Sequence, residues 1–425
     1  MATLNDYLDW RGDIPFSALP PCEVDCLIFS IIAYIKLEDI VSPEHTEGIT
    51  LSDAVKAFFE KYTTPEERRL GLFIHPEFVD LFERLSVFPR FSDIVLHGYT
   101  NVVCEECEMQ FAAVTADLPD TDMSVVCFRG TDDNIVGWKE DFALSFMDEI
   151  PSQRKAKEYL SAVAASSNSR LYLTGHSKGG HLAVWSAVHS HQKIRDRIVR
   201  IYSNDGPGFL PTVLESAEYA ELSGRITTLV PQSSLVGLLL DNDRAFQVIK
   251  SRKNGILQHN PFLWELMGSR FIRMEQLSGA GVKNDTVIRA RIADMTPEER
   301  RKFTELLFDL ISSTGAKTLS ELNESKLKSV QAVLKAVSGF DKGTKETAGM
   351  LVSKLFDVDI KLFPIFADVA AAVKKGKNTE REPELIETEN NDATPLNTDC
   401  SSVCTCSLEK ALPTDADAPE KESNN

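Results

Sequence analysis

The chain has 425 residues, 43% of them hydrophobic, and a formal net charge of −18 at pH 7. That is enough apolar material for one large α/β domain with additions, or for two domains, and the charge argues against nucleic acid or an anionic membrane surface as an electrostatic partner. The N-terminus lacks the basic start and apolar run of a signal peptide, and the longest nearly apolar stretches, Leu27–Ile35 and Leu235–Leu240, are too short to span a bilayer. The expectation is a soluble, cytoplasmic protein.

Residues 1–90 read as a mainly helical segment packed on the core. Ser52–Tyr62 has a helical pattern, and Thr64-Pro65-Glu66-Glu67 reads as a helix start with proline in the first turn. Phe73, Phe78, Phe82, Phe88 and Phe91 fit either a helix packed on the core or a lid or acyl-chain wall. Residues 91–290 alternate strand and helix. Strands are expected at Gln110–Ala116, Ser124–Phe128, Leu171–Thr174, Ile198–Ser203, Arg225–Val230 and Phe246–Lys250, with helices at Ser152–Ala165 and Gly179–His189. That spacing belongs to βαβ units, so the fold class is α/β, a mainly parallel sheet with helices on both faces.

Residues 291–375 read as a helical region that opens at Thr296-Pro297-Glu298-Glu299. Residues 376–425, rich in Glu, Asp, Asn, Thr and Pro, bury too little apolar surface to offset chain entropy and read as a disordered acidic tail. These C-terminal helices or the tail could recruit a protein partner. Eight cysteines are spread along the chain, and Cys104-x-x-Cys107 lacks a second pair at zinc spacing. Free thiols are therefore expected, with no metal and no cofactor.

The stretch that carries chemistry is Leu171-Tyr172-Leu173-Thr174-Gly175-His176-Ser177-Lys178-Gly179-Gly180. A short apolar strand runs into Gly-x-Ser-x-Gly and then a helix, which is the nucleophile elbow of serine hydrolases. The serine needs a strained turn to project its hydroxyl above the sheet, and the flanking glycines let strand and helix cross without a Cβ clash. The backbone N–H of Lys178, at the helix start, can point at a developing oxyanion.

A serine hydroxyl needs a base, and the base needs an orienting acid, in the chain order Ser, acid, His. After Ser177 the histidines are His181, His189, His191 and His259. The first three belong to or end the helix leading away from the hydroxyl and read as surface or packing residues. His259 follows the last strand, in a loop bounded by Gly255 and Pro261, where the base should be delivered; its alternative is to cap the helix near Pro261. For the acid, Asp205 sits directly after strand Ile198–Ser203, at the carboxyl end where ligand-facing residues of such sheets lie. The alternatives are the pair Asp241/Asp243, Asp241 first, or a turn role for Asp205.

A second segment, Val125-Val126-Cys127-Phe128-Arg129-Gly130-Thr131-Asp132 followed by Trp138 and Asp141, is a buried strand breaking into Arg-Gly-Thr. Together with the elbow it resembles the class 3 (fungal-type) lipases over about residues 90–265. With Asn5-Asp6-Tyr7 and Val230-Pro231-Gln232-Ser233-Ser234, the layout resembles more closely still an uncharacterised bacterial family of lipase-like domains. The resemblance implies an α/β-hydrolase fold, with an oxyanion hole formed by Thr131 and Lys178.

Two positions depart from the lipase pattern. Lipases carry their acid in Asp-x-Val-Pro, whereas Val230-Pro231-Gln232-Ser233-Ser234 has no carboxylate. Lys178 stands where an apolar residue is usual; its cation would suit a polar or anionic acyl substrate, or pair with a surface carboxylate. The expected function is a serine esterase or lipase acting on a small acyl ester or lipid through Ser177, His259 and Asp205. The competing reading is a non-catalytic hydrolase fold that serves binding. Phe262, Leu263, Trp264, Leu266 and Met267, after the base, fit an acyl pocket or ordinary core.

Overall fold

The computed structural model describes residues 2–72, 74–240, 246–283, 286 and 295–324. An eight-stranded sheet forms its centre: β1 (Ile49–Thr50), β2 (Val95–Cys104), β3 (Met109–Asp117), β4 (Met123–Phe128), β5 (Arg170–His176), β6 (Ile198–Asn204), β7 (Ile226–Pro231) and β8 (Phe246–Ile249). Their spatial order is the chain order. The first four pair antiparallel, and β4 through β8 are parallel.

Helices α1 (Leu4–Arg11), α2 (Glu23–Ile32), α3 (Leu51–Lys61) and α4 (Glu77–Leu85) precede the parallel strands, and α5 (Ile135–Ala143), α6 (Pro151–Ser166) and α7 (Lys178–Val188) lie among them. Right-handed crossovers that always step in one direction deposit every connecting helix on the same face. That face carries α6 and α7 on Val126, Phe128, Leu171, Leu173 and Ile201. The opposite face presents the alternate residues, Val125 and Cys127 of β4, Tyr172 of β5 and Tyr202 of β6, and the N-terminal helices cover them. A bare face would leave parallel strands wet, so α1 to α4 complete the sheet.

Helix α2 lies deepest, with all ten residues buried. Its polar groups are answered one by one. Ser30 Oγ shares a 2.8 Å hydrogen bond with Thr174 Oγ1 of β5. Glu23 accepts from Arg273 and from the Phe271 N–H. Asp25 receives both Nε and Nη2 of Arg90, at 2.9 and 2.7 Å, with both side chains fully buried, and also the Tyr7 hydroxyl at 2.7 Å.

The expected parallel-sheet strands and the two helices beside them appear within a residue or two of their sequence positions. Among the elements not anticipated are β1, β2 and α5. The expected helix at Thr64 is a single turn instead. Glu67 accepts the Thr63 and Thr64 N–H groups as a cap should, but Arg68 bonds back to the Tyr62 and Thr63 carbonyls and Gly71 (φ 132°) turns the chain away. In the aromatic segment, Phe78, Phe82 and Phe91 are core residues, and Phe73 lies outside the described residues.

At the C-terminal side, the helix Pro297–Ser312 starts with a capping box between Thr296 and Glu299 and packs Phe303 and Phe308 on Phe142 of α5. Asp133, just before α5, accepts three N–H groups from distant segments: Leu72 and Ser320 on its carboxylate, Leu319 on its carbonyl. The helices expected beyond Glu324 and the acidic tail lie outside the described residues.

Removing one partner of a fully buried ion pair leaves an uncompensated charge. Arg90→Ala, which strands Asp25, is expected to destabilise the fold by about 3–5 kcal/mol in urea titrations. A loss below about 1 kcal/mol would show that the pair contributes nothing to seating α2.

Candidate active site

The elbow forms because glycine occupies each crossing point. A Cβ on Gly175 would run into the backbone of Gly179, and a Cβ on Gly179 into the Phe128 carbonyl. Between them Ser177 takes φ 59°, ψ −135°, a strained conformation for a residue with a side chain, and α7 begins at the next residue. Ser177 is half-buried, whereas its neighbours on both sides are buried.

Asp205 follows β6, the strand beside the elbow strand, and is fully buried at φ 53°. Its two oxygens have separate duties. Oδ1 accepts the Ser234 hydroxyl at 2.6 Å and the Gly237 N–H at 3.1 Å; Oδ2 accepts His259 Nδ1–H at 2.7 Å. The sequence left Asp205 and Asp241 open. His259 is paired with Asp205, and Asp241 and Asp243 lie outside the described residues. In the turn after β7, Ser234 supplies a hydroxyl that braces Asp205 from behind.

The His259 loop is fastened to the elbow by His176, the residue before the serine. His176 Nε2–H donates to the His259 carbonyl at 2.8 Å, and the two rings lie 4.4 Å apart. On its other side, the Tyr34 hydroxyl of the N-terminal region lies 3.3 Å from His176 Nδ1 and from its carbonyl. Burial, followed by the neighbouring His259, holds His176 well below the ordinary histidine range, so it stays neutral and keeps its donor-acceptor pattern. Asn260, rather than His259, caps the short turn at Pro261, accepting the Phe262 N–H at 3.1 Å.

Thr131 stands at the turn after β4. A methyl group on Gly130 would sit 2.8 Å from Ser177 Cβ, so this turn passes directly against the serine. Thr131 Oγ1 donates to Asp141 Oδ2 at 2.6 Å. Burial pushes the Asp141 carboxyl up to about 6, with Lys178 and the Thr131 hydroxyl pulling in the opposite direction.

The sequence expectation for the Lys178 side chain needs correcting. Its ammonium is not offered to a substrate, nor does it meet a surface carboxylate. Lys178 is buried, and Nζ lies 2.8 Å from Glu140 Oε2, 3.1 Å from the Gln110 carbonyl and 3.7 Å from Asp141 Oδ1. Glu140 is itself buried and also accepts the Gln110 and Ser152 N–H groups. Burial disfavours the charged lysine, but Glu140 and Asp141 outweigh it and the net shift is upward.

Sequence reasoning did not single out Ser234, His176, Tyr34 or Glu140. Ser234 had a signal: it lies in Val230-Pro231-Gln232-Ser233-Ser234, a turn without a carboxylate. The apolar run after His259 is core, with Phe262, Trp264 and Leu266 buried and Met267 exposed. His181 is buried too, accepting Gln153 Nε2 at 2.7 Å, donating to the Gly208 carbonyl at 2.9 Å and stacking on Phe209, and it thereby holds the loop after Asp205.

The sheet, with its parallel strands β4 through β8 and helices around it, is consistent with an α/β-hydrolase-type fold. A family model, Mbeg1-like, matches residues 85–309, more than half of the chain. The chain belongs to the Mbeg1-like family. Among solved structures, it is similar to M37 lipase (16% identity, TM-score 0.36, covering 83% of this chain and 98% of that one) and to the Rhizomucor miehei lipase in its propeptide complex (13% identity, TM-score 0.33, covering 61% and 75%). No curated protein gives a significant sequence match.

Burial lowers His181 to about 4 from an ordinary 6.5. The folded state therefore takes up this proton less readily than the unfolded chain, and the stability present above pH 6.5 is lost as pH falls toward 4, by up to about 3 kcal/mol. Urea titrations from pH 7 to 4 are expected to show a shallower decline for His181→Gln than for the wild type. Equal slopes would contradict the assignment.

Proposed function

We propose that this Mbeg1-like protein is a serine carboxylic-ester hydrolase in which Ser177 is the nucleophile, His259 the general base and acid, and Asp205 the residue that orients the imidazole. The observation that carries the reading is the 2.7 Å bond from His259 Nδ1 to Asp205, on a loop tied to the elbow through His176. That bond fixes the tautomer and leaves Nε2 free to accept a proton.

In the proposed cycle, Ser177 Oγ attacks the acyl carbon while its proton passes to His259 Nε2. Negative charge develops on the carbonyl oxygen, and the backbone N–H groups of Thr131 and Lys178 stabilise it. The imidazolium then returns the proton to the departing alcohol, leaving an acyl group on Ser177. Water, deprotonated by His259, attacks that ester, and the imidazolium returns the proton to Ser177 Oγ as the acyl group departs as a carboxylic acid. The competing binding-module reading drew on the missing lipase carboxylate, and Asp205, braced by Ser234, supplies one from the neighbouring strand.

A fluorophosphonate probe is expected to label the wild type and to leave Ser177→Ala unlabelled; labelling of neither, or of both, would overturn the proposal. For the acid, Asp205→Asn is expected to lower kcat on a short p-nitrophenyl ester by about 10⁴-fold. Asp241→Asn should remain near the wild type, and the reverse pattern would move the acid to Asp241.

A further inference from the structure

Both backbone groups proposed to meet the oxyanion hang on the same buried cation. The first is the N–H of Lys178 itself, at the first residue of α7, where helix geometry leaves it without an intrahelical partner. The second belongs to Thr131, across the gap from Ser177. Lys178 Nζ, itself buried, meets a cluster contributed by β3 and α5: the Gln110 carbonyl, the buried Glu140 and the partly buried Asp141. From Asp141 one further bond, 2.6 Å long, leads to the Thr131 hydroxyl. The route from one donor residue to the other thus runs through the side chains of Lys178 and Asp141, with nothing else between them.

We propose that the Lys178 side chain is a positioning residue for the oxyanion hole, a buried ammonium that fixes the start of α7 through Glu140 and the Thr131 turn through Asp141. This rests on the reading of Ser177 as nucleophile. The two donors come from segments some fifty residues apart, and the hole works only if both point at one spot when charge appears; misplacement by about 1 Å can slow a reaction about 100-fold. An apolar side chain at position 178 would leave Glu140 and Asp141 as adjacent carboxylates with no cation between them, and the Thr131 turn would lose its charged anchor. Because the ammonium is sealed from solvent, it acts through these neighbours and does not select an anionic substrate.

The test measures kcat on p-nitrophenyl butyrate per Ser177 titrated with fluorophosphonate, so that unfolded protein is not counted. Lys178→Met is expected to lower kcat about 100-fold while KM stays within about threefold, the pattern of an interaction made in the transition state. Adding Glu140→Gln removes the stranded charge; the double variant is expected to recover thermal stability but not kcat, since Asp141 still lacks its cation. Asp141→Asn, which keeps the shape and removes the charge, is expected to lower kcat about tenfold.

A double variant with wild-type kcat would overturn the proposal, because Lys178 would then serve only to neutralise Glu140. So would an Asp141→Asn variant within about twofold of wild-type kcat. Should Lys178→Met fail to fold, the other two variants decide. A wild type that neither labels at Ser177 nor turns over would instead remove the nucleophile reading beneath it.

Discussion

The architecture depends on one topological constraint: the parallel strands are laid down in unbroken chain order. Right-handed crossovers then confine the connecting helices to one side. The other side of β4, β5 and β6 needs a cover that the βαβ connections cannot provide. Helix α2 is that cover, buried along its length, with Ser30 bonded to the elbow strand and Asp25 locked to Arg90. The N-terminal residues thus reach the Ser177 turn as well as the core, since Tyr34, just past α2, bonds His176 beside the serine.

The same order explains where Asp205 stands. Adjacent parallel strands end side by side, so the residues after β5 and β6 are neighbours although their helices and loops differ. Ser177 and Asp205 occupy those two positions, and both have positive φ. Ser234 and the Gly237 N–H hold the other oxygen of Asp205 from behind. Both oxygens of the buried Asp205 carboxylate are matched in this way, as a low-dielectric interior demands of a charged group.

The parallel strands were legible because strands buried on both faces read as unbroken apolar runs, Val125–Phe128 and Leu171–Leu173 among them. Strand β2 was not, because its pattern is interrupted by Gly98 (φ 65°) and a register shift between His97 and Thr100. Helix α5 hid behind a motif, its residues drawing attention as Trp138 and Asp141 and not as a helix capped by Asn134. Elimination along the chain picked out His259, and the strand-end position picked out Asp205. The lysine was misjudged because burial of its carboxylate partners is a tertiary fact: Glu140 lies 38 residues before Lys178 and looks, in sequence, like any exposed charge.

Asp133 gathers N–H groups from Leu72 on one flank and from Leu319 and Ser320 on the other, two residues past Thr131. The family match runs from residue 85 to residue 309, so all three donors lie beyond its ends. A fragment trimmed to the recognisable segment would keep Ser177, His259 and Asp205 but lose α2, and it would release both grips on the turn beside the serine. The turn at Asp133 is therefore held from beyond both ends of the matched segment, by Leu72 on one side and by Leu319 and Ser320 on the other.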